Sequence, residues 1–406
     1  MKNVRALAIL GAILIFAIAC NPFDRSGRSF TNISFPGKEQ RVVIRYDNTS
    51  LDIKYSGEIE FNDEETAIKK MSPGGYLDYR KNDKRLLAEA GPGGDVVYKF
   101  YNDEDYQTEE GSGRKFLAEA IGEMISHGLF ISGRMERFFQ EGGIPLLLTE
   151  VKRIHADNVK RKYFEYMLQS DSVSQKDMTD ICNAIAMMMN SDDDKRRILE
   201  KVPANYLKDS VTAAAYFAAI ESINSDNDKA NALRETLKKP LSEPAFKFLL
   251  KAAVTINSDN DKANLLKDLV KNNVFPGESY SSLLGVIKTI NSDNDKANVL
   301  KVLINKQIYP DEQFSRLLAV VSEISSDNDK ANVFKKLAEQ NISKEEDWIN
   351  LINEITSINS DNDKSDVLRS VSRNMPRSEK IIAAYMKSSR TISSEHDYEI
   401  TVKSVH

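Results

Sequence analysis

Through most of its length the chain places apolar residues at helical spacing. Tyr280, Leu283, Leu284, Ile287 and Ile290 mark one face of a helix, and Asn291-Ser292 forms a corner. Ala297, Leu300, Leu303 and Ile304 then mark the face of a second helix. The pattern returns at a fixed interval. Ile223, Ile256, Ile290, Ile324 and Ile358 each precede a serine by two places, and Leu199, Leu233, Leu266, Leu300, Phe334 and Leu368 follow one by eight. Ala230, Ala263, Ala297 and Ala331 fall where a small side chain lets two helices approach. Pro240, Pro276 and Pro310 fall between units, where a helix cannot continue.

The serine opens a phrase written six times: Ser191-Asp-Asp-Asp-Lys195, Ser225-Asp-Asn-Asp-Lys229, Ser258-Asp-Asn-Asp-Lys262, Ser292-Asp-Asn-Asp-Lys296, Ser326-Asp-Asn-Asp-Lys330 and Ser360-Asp-Asn-Asp-Lys364. The steps are 34, 33, 34, 34 and 34 residues. A period in this range predicts stacked supersecondary units, an α-solenoid, with degenerate copies as caps. Ile154-His-Ala-Asp-Asn-Val-Lys160 and Ile392-Ser-Ser-Glu-His-Asp397 supply those copies.

Upstream the pattern changes to short β-rich runs. Arg41–Tyr46, Leu51–Tyr55, Glu58–Phe61, Tyr76–Tyr79, Arg85–Glu89 and Val96–Tyr101 predict an antiparallel meander of five or six strands. Asp47-Asn-Thr-Ser50, Ser56-Gly57, Ser72-Pro-Gly-Gly75 and Gly91-Pro-Gly-Gly94 provide turn chemistry, and the acidic stretch from Asn102 to Glu110 closes the region. From Arg114 onward the reading is helical, with a break at Gly142-Gly143-Ile-Pro145.

The first residues carry a different signal. Lys2 and Arg5 precede an apolar stretch of fourteen residues, Ala6 to Ala19. That is short of the roughly 20 needed to span a bilayer and suits a signal-peptide core. It ends Ala17-Ile18-Ala19-Cys20, which resembles the lipobox of bacterial lipoproteins, with Ala17 where leucine is usual. The resemblance implies a chain acylated at Cys20 and anchored to a bilayer. Asn21 favours the outer over the inner membrane. Loss of residues 1–19 removes the charges of Lys2 and Arg5 and takes the net charge from −5 to −7. Cys182, the other cysteine, is then left without a disulfide partner and reads as a small core residue. No basic stripe stands out, so nucleic acid is not an expected partner.

The repeated phrase admits two readings. As a calcium loop counted from Asn224, it places Asp226 and Asp228 at positions three and five. Lys229, however, stands where glycine is needed, and position twelve is not maintained. As a helix start, every unit supplies an N-cap serine and an acid three places on: Ser191 and Asp194, Ser225 and Asp228, Ser258 and Asp261, Ser292 and Asp295, Ser326 and Asp329, Ser360 and Asp363. These pairs predict capping boxes worth on the order of 1 kcal/mol each, with the carboxylates at the positive end of the helix dipole. Lys229 and its equivalents are expected to reach an acidic residue of the adjacent unit.

No catalytic set accompanies these features. His127, His155, His396 and His406 belong to no zinc motif, and neither a phosphate loop nor a nucleophile elbow is present. Met187-Met-Met189 and Trp348 are expected to pack in the core. No cofactor or metal is expected.

Four segments together, Tyr55–Asp63, Ser72-Pro-Gly-Gly-Tyr-Leu77, Leu117–Ile125 and Ile154–Leu168, resemble a bacterial exported module. That module also occurs appended to membrane metallopeptidases of the beta-lactam-sensor type, with a repeat of the form Ile-x-Ser-Asp-Tyr-Asp-Lys. The peptidase half and its zinc motif are absent from this chain. The resemblance implies a cell-envelope context and no transferable activity.

The expected protein is mostly α with a small β domain. Residues 1–19 are a signal peptide, 20–38 a lipidated tether, 39–110 an antiparallel β domain, 111–145 a helical connector, and 146–406 the solenoid of helix-turn-helix repeats. The expected role is a non-enzymatic, membrane-anchored interaction scaffold or sensor, with an unknown protein on the solenoid. The alternative is a divalent-cation-dependent adhesin or structural protein using the Asp ladder.

Overall fold

The structure, a computed structural model, describes residues 29–34, 39–46, 48–103, 105–107, 112–272, 277–306 and 313–405. The signal peptide, Cys20, Pro276 and Pro310 lie outside the described residues. The chain divides into two compact units between Glu141 and Gly142.

The first unit is built on an antiparallel sheet. Its strands are β1 (Ser29–Ser34), β2 (Glu39–Tyr46), β3 (Thr49–Ser56), β6 (Tyr76–Lys81), β7 (Lys84–Ala90), β8 (Val96–Asn102) and β9 (Asp105–Gln107), in the spatial order β1-β2-β3-β6-β7-β8-β9. A separate hairpin of β4 (Ile59–Phe61) and β5 (Ile68–Met71) interrupts the meander between β3 and β6. β1 corrects the tether expected over 20–38, since its six residues pair antiparallel with Gln40 to Arg45 of β2. β9 likewise extends the meander into the acidic stretch after Asn102.

Strand alternation gives the sheet one sealed face. Val42, Ile44, Leu51, Ile53, Leu77, Tyr79, Leu86, Ala88 and Phe100 are all buried, as period-two patterning against a core requires. Helix α1 (Arg114–Ser126) seals that face with Leu117, Ala120, Ile121 and Met124. The Phe116 ring meets Tyr79 edge-on at 5.8 Å. The Tyr79 hydroxyl and the Lys81 ammonium both donate to the Glu123 carboxylate. Residues 111–145 are therefore not a free-standing connector, because α1 is the lid of the sheet.

The second unit is a two-layer helical array. After α2 (Ile131–Val151), which kinks at Gly143 with φ 61° two residues before Pro145, comes α3 (Asp157–Leu168). Units then follow as helix pairs. They are α4 (Gln175–Met188) with α5 (Asp192–Leu199), α6 (Ser210–Glu221) with α7 (Asp226–Leu237), and α8 (Glu243–Val254) with α9 (Asp259–Asn272). Next come α10 (Gly277–Lys288) with α11 (Asp293–Asn305), and α12 (Phe314–Ser322) with α13 (Asp327–Ala338). The last pairs are α14 (Glu345–Glu354) with α15 (Asp361–Asn374), and α16 (Glu379–Ser389) with α17 (Glu395–Lys403).

First helices stack on first helices and second helices on second helices along the whole series. This is the expected α-solenoid. The periodic residues form its spine: Ile223, Ile256, Ile290, Ile324 and Ile358, and Leu199, Leu233, Leu266, Leu300, Phe334 and Leu368, have no solvent exposure. Cys182 is buried and unpaired, and burial pushes its thiol up to about 12. Trp348 is buried, with its indole N–H donated to the Ile342 carbonyl. The methionine run is a correction: Met189 is in the core, but Met187 is 83% exposed, because the helical turn carries it to the outer face of α4. Among the described residues, no helix is long and apolar enough to cross a membrane.

Candidate interaction ridge

Each corner is built from its serine. The hydroxyls of Ser191, Ser225, Ser258, Ser292, Ser326 and Ser360 accept the amide three residues on, those of Asp194, Asp228, Asp261, Asp295, Asp329 and Asp363, at 3.2–3.3 Å. This is the N-cap that the sequence predicts. Its reciprocal half differs. The serine amide is taken by the first Asp of the motif in the preceding unit, and not by the acid of its own helix.

The repetition of this cross-unit bond is complete through the array. Asp157 accepts the amides of Asn190 and Ser191, Asp192 those of Asn224 and Ser225, and Asp226 those of Asn257 and Ser258. Asp259 accepts Asn291 and Ser292, Asp293 accepts Ser325 and Ser326, Asp327 accepts Asn359 and Ser360, and Asp361 accepts Ser393 and Ser394. The distances run from 2.6 to 3.1 Å, the range of charge-assisted bonds and just above it.

The motif lysine makes the second cross-unit contact. Lys160, Lys195, Lys229, Lys262, Lys296, Lys330 and Lys364 keep only 4–7% of their exposure, although lysine is almost never buried without a partner. For six of them the cross-unit partner is a backbone carbonyl at the C-terminal end of the next unit's first helix, and not an acidic residue of that unit; Lys160 also pairs with Asp157 of its own helix. Lys195 donates to Ser222, Lys229 to Thr255, Lys262 to Thr289, Lys330 to Ser357 and Lys364 to Thr391 at 2.8–3.2 Å. Lys160 donates to Met188. A cation there meets the unsatisfied carbonyls and the negative end of the helix dipole. Burial pulls the Lys195 and Lys262 ammoniums below their usual value.

One second helix thus grips the following corner from both sides. Asp259 and Lys262, one helical turn apart, hold Ser292 and Asn291 by their amides and Thr289 by its carbonyl, while Ile290 between them enters the core. The remaining letters point elsewhere. Asn231, Asn264, Asn298 and Asn332 donate to Asn227, Asn260, Asn294 and Asn328 along the exposed side of their helices. Asp194 and Asp228 accept from Arg161 and Arg196 of the preceding unit at 2.8 and 3.1 Å. In the last unit Glu395 and Tyr398 stand in place of the gripping Asp and Lys, so the clamp runs into that corner and not out of it.

For the cation-ladder alternative, both oxygens of Asp226, the position-three ligand, are committed to amide donors. Among the described residues no group of three or more His, Cys, Asp or Glu is placed to hold a metal. In the first unit, a cleft of about 490 Å³ is lined by Phe61, Phe130, Arg134 and Arg137. Its two guanidiniums are answered by the Glu65 carboxylate at 2.5–3.2 Å, which ties the β4–β5 hairpin to α2. No protein-family model matches the chain, and no curated protein matches it.

The clamp makes a local prediction. Asp259→Ala leaves two amides without their acceptor and is expected to cost about 1–3 kcal/mol. Hydrogen exchange should rise at Asn291 and Ser292 and stay unchanged at Asn257 and Ser258, which Asp226 still holds. Equal acceleration on both sides would mean that the contact is not directional.

Proposed function

We propose that this is a non-enzymatic lipoprotein of the bacterial cell envelope, anchored through acylated Cys20, whose solenoid is a docking scaffold for another protein. The observation that carries the reading is where large apolar side chains meet solvent. Among the described residues of the array these are Met187 at 83%, Val211 at 64% and Val254 at 44% exposure, on the first helices α4, α6 and α8 of three successive units. Met187 and Val254 lie in the last turns of their helices and Val211 in a first turn, so the exposed apolar positions are spread over one side of three units, and clamped stacks present such extended surfaces with little ordering cost. The polar, mutually satisfied corner ridge serves cohesion within the array.

Two measurements test this. Cys20→Ser is expected to release the protein from the membrane fraction, and mass analysis of the wild-type N-terminal peptide should show the acyl chains. A photocrosslinker at Val211 is expected to capture a protein in intact cells, while one at Asn294 on the corner ridge should capture none. Absence of an adduct from all three apolar positions would overturn the scaffold reading.

A further inference from the structure

The second face of the β-sheet is open, and its chemistry is opposite in sign to that of the chain. Pairing places Arg41 opposite Lys54, Asp52 opposite Arg80, Arg80 opposite Arg85, and Arg85 opposite Tyr101, all away from the sealed face. Tyr101 in turn faces Tyr106. Among the described residues, six cations on this face (Arg41, Arg45, Lys54, Arg80, Arg85 and Lys99) stand against four carboxylates (Glu39, Asp52, Asp78 and Glu89). The balance is positive, whereas the chain carries −5.

Ion pairs organise part of the set. Asp78 is bridged by Arg80 and Arg85, Asp52 holds Arg41, and Glu89 holds Lys99. The side chains of Arg45 and Lys54 make no hydrogen bond or ion pair among the described residues. Apolar and aromatic groups sit beside these cations: Val97 is 42% and Tyr106 61% exposed, the two large exposed hydrophobics among the described residues of this unit. Tyrosine beside lysine and arginine is the composition found at membrane interfaces, where ring and charge meet headgroups at one depth.

Position along the chain supplies the partner. From Cys20 to Ser29, the first residue of β1, there are nine residue steps. At no more than ~3.6 Å each, they reach at most ~32 Å. A lipid anchor at Cys20 therefore confines the sheet to within about its own width of the bilayer.

We propose that the open face of this sheet lies on the anionic headgroups of the membrane holding the anchor, a second attachment beside the acyl chains. A basic patch held close to an anionic leaflet adds electrostatic attraction to the hold of the acyl chains. The inference rests on the lipoprotein reading above.

The test is amine footprinting of the intact protein in vesicles of phosphatidylglycerol and of phosphatidylcholine. Lys54 and Lys99 should be protected several-fold in the anionic vesicles only, with Lys251, Lys380 and Lys403 of the array equally reactive in both. The protection should fade in high salt. Arg45→Glu, which breaks no ion pair, should lower the protection of Lys99. Equal labelling of Lys54 and Lys99 in both lipids would overturn the proposal. Should Cys20 prove unmodified, the same labelling with added vesicles still decides the face, so the two failures are separable.

Discussion

Lys262→Glu should break the array at the corner it serves. The side chain is 4% exposed and points at the Thr289 carbonyl; burial lowers its proton affinity, and Asp259 and Asp226 nearby offset only part of that. Glutamate would put an uncompensated negative charge against a carbonyl dipole and two carboxylates, at a cost of about 3–5 kcal/mol. Lys262→Met keeps the packed stem and loses only the carbonyl's partner, at about 1–3 kcal/mol. The expected result is two calorimetric transitions for the glutamate variant where the methionine variant and the wild type give one. A glutamate variant that melts like the methionine variant would show that the buried cation contributes by packing alone.

Removing one whole period should be tolerated where removing half a period is not. Deletion of residues 259–292 joins Ser258 to Asp293 and rewrites the phrase as Ser258-Asp293-Asn294-Asp295-Lys296. The corner at Ser258 is still held by Asp226, and Asp293 still holds Ser325 and Ser326. Because each unit touches only its neighbours, helicity per residue should be unchanged and the melting temperature close to that of the intact chain. Deleting α9 alone leaves two first helices in succession, with no Asp or Lys to grip the next corner. Loss of helicity in all units beyond it is the expected outcome, read by circular dichroism and limited proteolysis. A half-period deletion as stable as the full-period one would remove the case for register along the array.

The array was legible because its signals are local. Ile290, Ala297 and Leu300 announce two amphipathic faces within twenty-odd residues, and Ser292 caps an amide three places away. The clamp was not legible for the same reason. Asp259 finds its partners 32 and 33 residues on, and nothing near it in sequence distinguishes that use from an ordinary first-turn acid. Asp295 offered a local capping box that chemistry allows, and the fold uses the carboxylate of the unit before instead. Spatial neighbours one period apart also explain why each letter recurs: Ser caps, the first Asp and the Lys reach forward, and the second Asp receives from behind at Asp194 and Asp228.

In the first unit the errors have other causes. Ile68-Lys-Lys-Met71 buries only its two ends, so β5 shows no alternation. β1 lies in a stretch rich in Ser, Arg and Gly, whose composition resembles a linker more than a strand. In the second unit, Met187 belongs to an apolar run, yet the helix turns it outward. In the first unit, strand patterning did reveal the runs that carry Val42, Ile44, Leu51 and Ile53, because alternate burial leaves a trace in the sequence.

The one-way grip of each unit on its successor has a bearing on how the chain can be made. A polypeptide delivered N-terminus first always presents the holding pair before the bend it must seat. Asp226 and Lys229 precede residues 255–258, which they hold, so no bend waits for a holder still to come. Growth of the array can then keep pace with its emergence, one unit closing behind the other like links added to a fixed end.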